Sequence, residues 1–128
     1  MTKQNRFAQR VFLFAAIYGI LVLAPQYVLE TRLGVPFVPP LNHPEHFYGF
    51  IGVALAWQFA FLVISRDVQR YRLLMLPAVL EKLSFGIAAY VLYAQGRVEA
   101  LVLVFASIDL LLAALFLASY RLCRTTGE

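Results

Sequence analysis

Three ionisable residues of this chain sit where ionised side chains are least welcome. Glu81 and Lys82 are neighbours inside the apolar stretch 76–90 (LPAVLEKLSFGIAAY), and Asp109 breaks a second apolar stretch at 100–120. An acid and a base held in apolar surroundings can pass a proton, couple an ion to a conformational step, or neutralise each other. Ser84 follows Glu81 by one helical turn, and Trp57 and Gln58 lie near the middle of a third apolar stretch. These six are the candidate ligand-binding or proton-titrating residues. His43, Glu45 and His46 form a second grouping, with two imidazoles at the spacing that shares one helix face. A zinc site needs a fourth ligand, and the outer loops offer none. Helix capping and interfacial polarity account for the trio, and no metal or other cofactor is expected.

The elements that must place these residues are read from the apolar runs. Hydrophobic residues make up 62% of the 128 and charged ones 14%, against about half and about a quarter in a soluble domain. The excess is gathered at residues 11–29, 47–65, 73–95 and 100–120. Each run is about long enough to cross the hydrocarbon core at roughly 1.5 Å per residue. The expected fold is therefore all-α: a single domain over residues 1–128, built as an integral-membrane, up-down four-helix bundle. Short turns make its second, third and fourth helices antiparallel neighbours.

Local signals refine this picture. The basic start before the first run resembles a signal peptide, but the run is too long for an h-region, and Ala24-Pro25-Gln26 is a poor cleavage site. It reads as a helix bent or ended near Pro25. Pro36, Pro39, Pro40 and Pro44 exclude a regular helix over much of 30–46, an extended loop expected to lie on the membrane or cap the bundle, with Asn42 capping the next helix. Gly52, Ala56 and Ala60 recur every four residues, a small-residue seam for close helix approach, either inside the bundle or in a homo-oligomer or larger membrane complex. The stretch 76–90 reads as kinked at Pro77.

Orientation follows from the basic residues. Lys3, Arg6, Arg10, Arg66, Arg70, Arg72, Arg121 and Arg124 fall on one side, and Arg32 and Arg97 on the other. This bias places the N-terminus and C-terminus in the cytoplasm, in a multi-pass protein of the bacterial inner membrane. It also argues against a dual-topology exporter. The net charge of +4 is then a topology signal, with lipid headgroups as neighbours of the arginines and no nucleic-acid partner. Cys123, the one cysteine, reads as a reduced thiol.

Topology fixes depth. By the helical rise, Glu81, Lys82, Asp109 and Gln58 all lie roughly 12–16 Å from one end of their helices, at one level of the bilayer. An ionised group there costs about 2.5–3.5 kcal/mol, so pairing is expected. Lys82 can reach Asp109 across a close helix pair, while Glu81 points about 100° away and shares a face with Pro77, Ser84 and Ala88. Two carboxylates and one ammonium leave one negative charge, to be met by a proton, a cation or a wet cavity. Tyr18, Tyr90 and Tyr93 are candidates to line such a cavity, and Trp57 reads first as a packed core residue.

The chain carries no Gly-rich phosphate loop, nucleophile motif, haem motif or redox cysteine pair, so no motif supports an enzyme. The segments His46-Phe47-Tyr48-Gly49-Phe50, Ala56-Trp57-Gln58, Arg66-Asp67, Arg70-Tyr71-Arg72 and Pro77-Ala78-Val79-Leu80-Glu81-Lys82 resemble small bacterial membrane proteins of the DoxX-like and BphX-like group. The resemblance covers about residues 47–97 and implies a four-helix membrane bundle, without an established reaction. The expected function is binding of a small lipid-like or aromatic ligand as an accessory protein of membrane metabolism, with membrane lipids as the other partners. The alternatives are a proton- or cation-coupled small-molecule carrier, or an assembly subunit of a membrane complex.

Overall fold

The structure, a computed structural model, describes residues 2–29 and 43–123. It is all-helical there: α1 (Lys3–Leu23), the single turn α2 (Gln26–Leu29), α3 (Pro44–Arg66), a 3-10 turn (Arg72–Leu74), α4 (Met75–Ala94) and α5 (Ala100–Leu122). Four helical segments are long and apolar enough to cross a membrane: Lys3–Val28, Pro44–Arg66, Arg72–Ala94 and Ala100–Leu122. Their outer faces carry large bare apolar side chains, with Leu21 70% and Leu80 66% exposed. Lipid tails, rather than water, suit such a surface.

Local chemistry explains the boundaries. Thr2 caps α1, its hydroxyl accepting from Asn5 N–H at 3.1 Å, so that helix starts well before the apolar run. Pro25 ends it as expected, with a turn at 24–25 before α2. His43 stands at the N-cap of α3, with Pro44 in the first turn and Glu45 near the positive helix end. Asn42, the expected cap, and most of the proline-rich loop lie outside the described residues, as does the tail after Cys123. Pro77 is the third residue of α4, where a missing N–H costs no helical bond. The expected kink is instead a helix start. α4 closes on Gly96, whose φ of +73° lets Arg97 N–H reach Leu92 O and Gly96 N–H reach Tyr93 O, both at 2.9 Å.

Packing departs from expectation at one seam. α1 lies against both α3 and α5, and α5 lies against α4, but α3 and α4 barely touch although a short turn joins them. That turn is tied elsewhere. Gln69 Nε2 donates to Asn5 Oδ1 on α1 at 2.9 Å, and Arg72 Nε donates to Tyr120 O at the end of α5 at 2.8 Å. The Arg72 guanidinium also stacks on the Tyr120 ring at 3.9 Å and is buried. Arg72 therefore anchors a helix end rather than lipid headgroups. The small-residue face that matters is on α1, where Ala8, Ala15, Ala16 and Gly19 are buried with Phe12. Of the expected α3 seam, Ala56 is exposed and Gly52 meets the Tyr27 hydroxyl. The core is centred on Phe12, Phe61 and Phe116, with Phe12 and Phe116 stacked at 4.2 Å and Phe61 edge-on to both.

Candidate functional site

The four polar residues that depth alone placed at one level meet around one space. A cavity of 370 Å³ lies between α1, α3, α4 and α5, bordered by Gln58, Glu81, Lys82 and Asp109. Its remaining walls include Tyr18, Gly19 and Gln26 from the N-terminal segment and Phe47, Phe50, Phe85 and Phe105 from the other helices. One end is polar and the sides are largely aromatic. Small-molecule sites have this division of labour.

Lys82 organises the polar end. It is 3% exposed, and its Nζ lies 3.4 Å from Asp109 Oδ1 and 3.8 Å from Glu81 Oε2. The expected cross-helix pair is present, donating from Lys82 to Asp109. Glu81 shares the cleft face with Pro77, Ser84 and Ala88 as expected, yet its Oε2 also comes within 3.8 Å of Lys82 Nζ, so the cluster is a triad. Below it, Phe61 presents its ring 5.3 Å from Nζ, so an aromatic face shares in stabilising the buried ammonium.

Close helix contact makes the triad possible. Gly86, one turn after Lys82, lies against α5: a β-carbon there would come within 2.6 Å of Leu110 Cγ and 3.3 Å of Ala106 O. Near the far end of α4, Tyr90 and Ser107 hydroxyls join at 2.5 Å. Gln58 is held in a similar way across α1 and α3. Its Nε2 donates to Ala54 O at 2.8 Å, and its amide rests where a β-carbon on Gly19 would stand. Gln58 Oε1 and Glu81 Oε2 are buried without a hydrogen-bond partner among the described residues. Uncompensated acceptors of this kind are costly in a dry interior.

Trp57 and Ser84 border a second space, an open cleft of 560 Å³ between α3 and α4. Trp57 also packs against Phe61, their ring centroids 6.3 Å apart. Ser84 spends its hydroxyl on its own helix, donating to Leu80 O and Glu81 O. Phe50, Ala54, Glu81 and Phe85 belong to both spaces and form the partition between them. The rings of Phe50 and Phe85 stack across the seam at 6.3 Å.

Of the three candidate cavity tyrosines, only Tyr18 borders the inner space; Tyr90 and Tyr93 are exposed. His43, Glu45 and His46 do cluster, with His43 Nδ1 3.3 Å from Glu45 Oε1 and the two imidazole rings 5.2 Å apart. All three are exposed and hold one another. Sequence reasoning missed Gly19 and Phe61. A glycine opposite a glutamine one helix away leaves no mark in the sequence, and Phe61 is one phenylalanine among eleven. Comparison with protein families, with curated proteins and with solved structures gave no match for this chain.

Proposed function

We propose that this protein binds a small lipid-like or aromatic molecule within the membrane, as an accessory or binding protein of membrane metabolism. The observation that carries the reading is the cavity itself, with aromatic walls and the Glu81–Lys82–Asp109 triad at its polar end. A chain using these charges only to lock helices would close the space around them, since an unfilled interior forfeits packing contacts. The basic-residue bias puts both chain ends in the cytoplasm of a bacterial inner membrane. Cys123 Sγ lies 3.8 Å from Gln4 O, in keeping with the two ends sharing one side. Kinship of residues 47–97 with the DoxX-like group is part of the same proposal; it would imply a four-helix membrane protein and adds no reaction.

The test is mass spectrometry of what co-purifies in mild detergent with the wild type and with Ala54→Phe, which fills the cavity from α3. The wild type should carry a small apolar molecule that the variant loses while keeping its helical content. Equal recovery from both, or none from either, would sink the reading.

Glu81 borders both the inner cavity and the outer cleft, and this favours a second reading, a proton- or cation-coupled carrier. A carrier requires that Glu81→Gln abolish uptake into vesicles while ligand still binds.

A further inference from the structure

We propose that the occupant is a single-chain amphiphile whose head is a primary ammonium, admitted sideways between α3 and α4. The inference rests on the ligand-binding reading above and supplies its chemical class.

Charge is the first ground. Among the described residues the cavity is bordered by the carboxylates of Glu81 and Asp109 and by one ammonium, that of Lys82, with no other lysine or arginine on its walls. One positive charge completes the balance, and a buried imbalance is costly in hydrocarbon.

Hydrogen bonding is the second. The two buried side-chain atoms without a hydrogen-bond partner among the described residues, Gln58 Oε1 and Glu81 Oε2, are both acceptors, although Glu81 Oε2 lies within ion-pair range of Lys82 Nζ at 3.8 Å. The Gln58 amide cannot be turned round, because its nitrogen already donates to Ala54 O. Both orphan atoms call for a donor. A primary ammonium brings three donors and no acceptor, whereas a hydroxyl brings one donor and no charge. A carboxylate or phosphate head would set another anion beside two carboxylates.

Shape is the third. At 370 Å³ the cavity is at the small end for ligand sites and suits one alkyl or aryl-alkyl chain rather than a two-chain lipid. Aromatic faces, here Phe47, Phe50, Phe85 and Phe105, tolerate a passing cation better than aliphatic walls do. The way in is the unpacked α3–α4 seam, where the Phe50–Phe85 stack stands between the cleft and the cavity.

The experiment uses Trp57, the chain's one tryptophan, which borders the cleft. The full-length protein in phosphatidylcholine nanodiscs is titrated with n-decylamine, n-decanol and decanoate, each brominated at the tail end to quench Trp57 fluorescence. The amine should quench saturably with about tenfold higher affinity than the alcohol, the worth of one charge-assisted hydrogen bond, and decanoate should not saturate. In Glu81→Gln the advantage of the amine over the alcohol should vanish while the alcohol still binds. If that variant does not fold, Gln58→Leu should weaken the amine about threefold through the loss of one acceptor. Equal affinity for alcohol and amine, or saturable binding of decanoate, would overturn the head-group assignment alone. Displacement of the amine by phosphatidylethanolamine in the nanodisc would overturn the single-chain assignment. Saturable quenching by none of the three would overturn the ligand-binding reading along with it.

Discussion

Lys82 is the residue whose loss would be felt most. Among the described residues it is the one cation paired with Asp109 and Glu81, and it is buried against Phe61. Removing one member of a buried ion pair leaves the others uncompensated, a loss of about 3–5 kcal/mol. Lys82→Met should therefore lower the thermal stability of the detergent-solubilised protein markedly, and adding Asp109→Leu should restore most of it. If Lys82→Met melts with the wild type, the triad is not buried as described. Cys123 offers a check just past the end of α5. Burial pushes its thiol up, and the nearby Arg72 guanidinium offsets this only in part. The thiolate is the reactive form. Alkylation by a maleimide should thus be slow at neutral pH and accelerate only above the ordinary thiol range; fast labelling at neutral pH would contradict the buried placement. At this scale the sequence was informative about pairing and blind to side-chain direction. It put Lys82 with Asp109 from depth and Glu81 on the face of Pro77, Ser84 and Ala88, but it missed that Glu81 also reaches Lys82, because helical phase fixes where a Cβ points and not where a long side chain ends.

Between elements, small residues set the distances. Gly86 lets α4 and α5 close on each other, and that contact brings Lys82 within reach of Asp109. Gly86→Ala should cost about 1–3 kcal/mol by overpacking against the Ala106 carbonyl and Leu110. Gly49→Ala, with open space around it, should cost nothing measurable in the same melt. Equal effects at the two glycines would show that the α4–α5 contact is looser than described. The helices themselves, and the break at Pro25, were legible because apolar runs and prolines act locally. The open α3–α4 seam was not. A short connection argues for adjacent helices, yet the turn is fastened to α1 through Gln69 and to α5 through Arg72, and these are tertiary contacts without a local signature.

For the whole molecule, the four apolar helices and the convergence of Gln58, Glu81, Lys82 and Asp109 were both foreseeable from length and depth. That the charges would border an unfilled space was not, since a cavity depends on which large side chains fail to meet. Reporter fusions at the C-terminus test orientation: a green fluorescent fusion should be bright and an alkaline phosphatase fusion inactive, and the reverse pattern would invert the assigned sides. The most direct test of the central claim is a density map of the protein in a lipid nanodisc, at a resolution that shows single acyl chains. The account predicts elongated non-protein density between α3 and α4, passing Phe50 and Phe85 and ending at Glu81. A map in which α3 and α4 pack together and the space beside Lys82 is closed would contradict it.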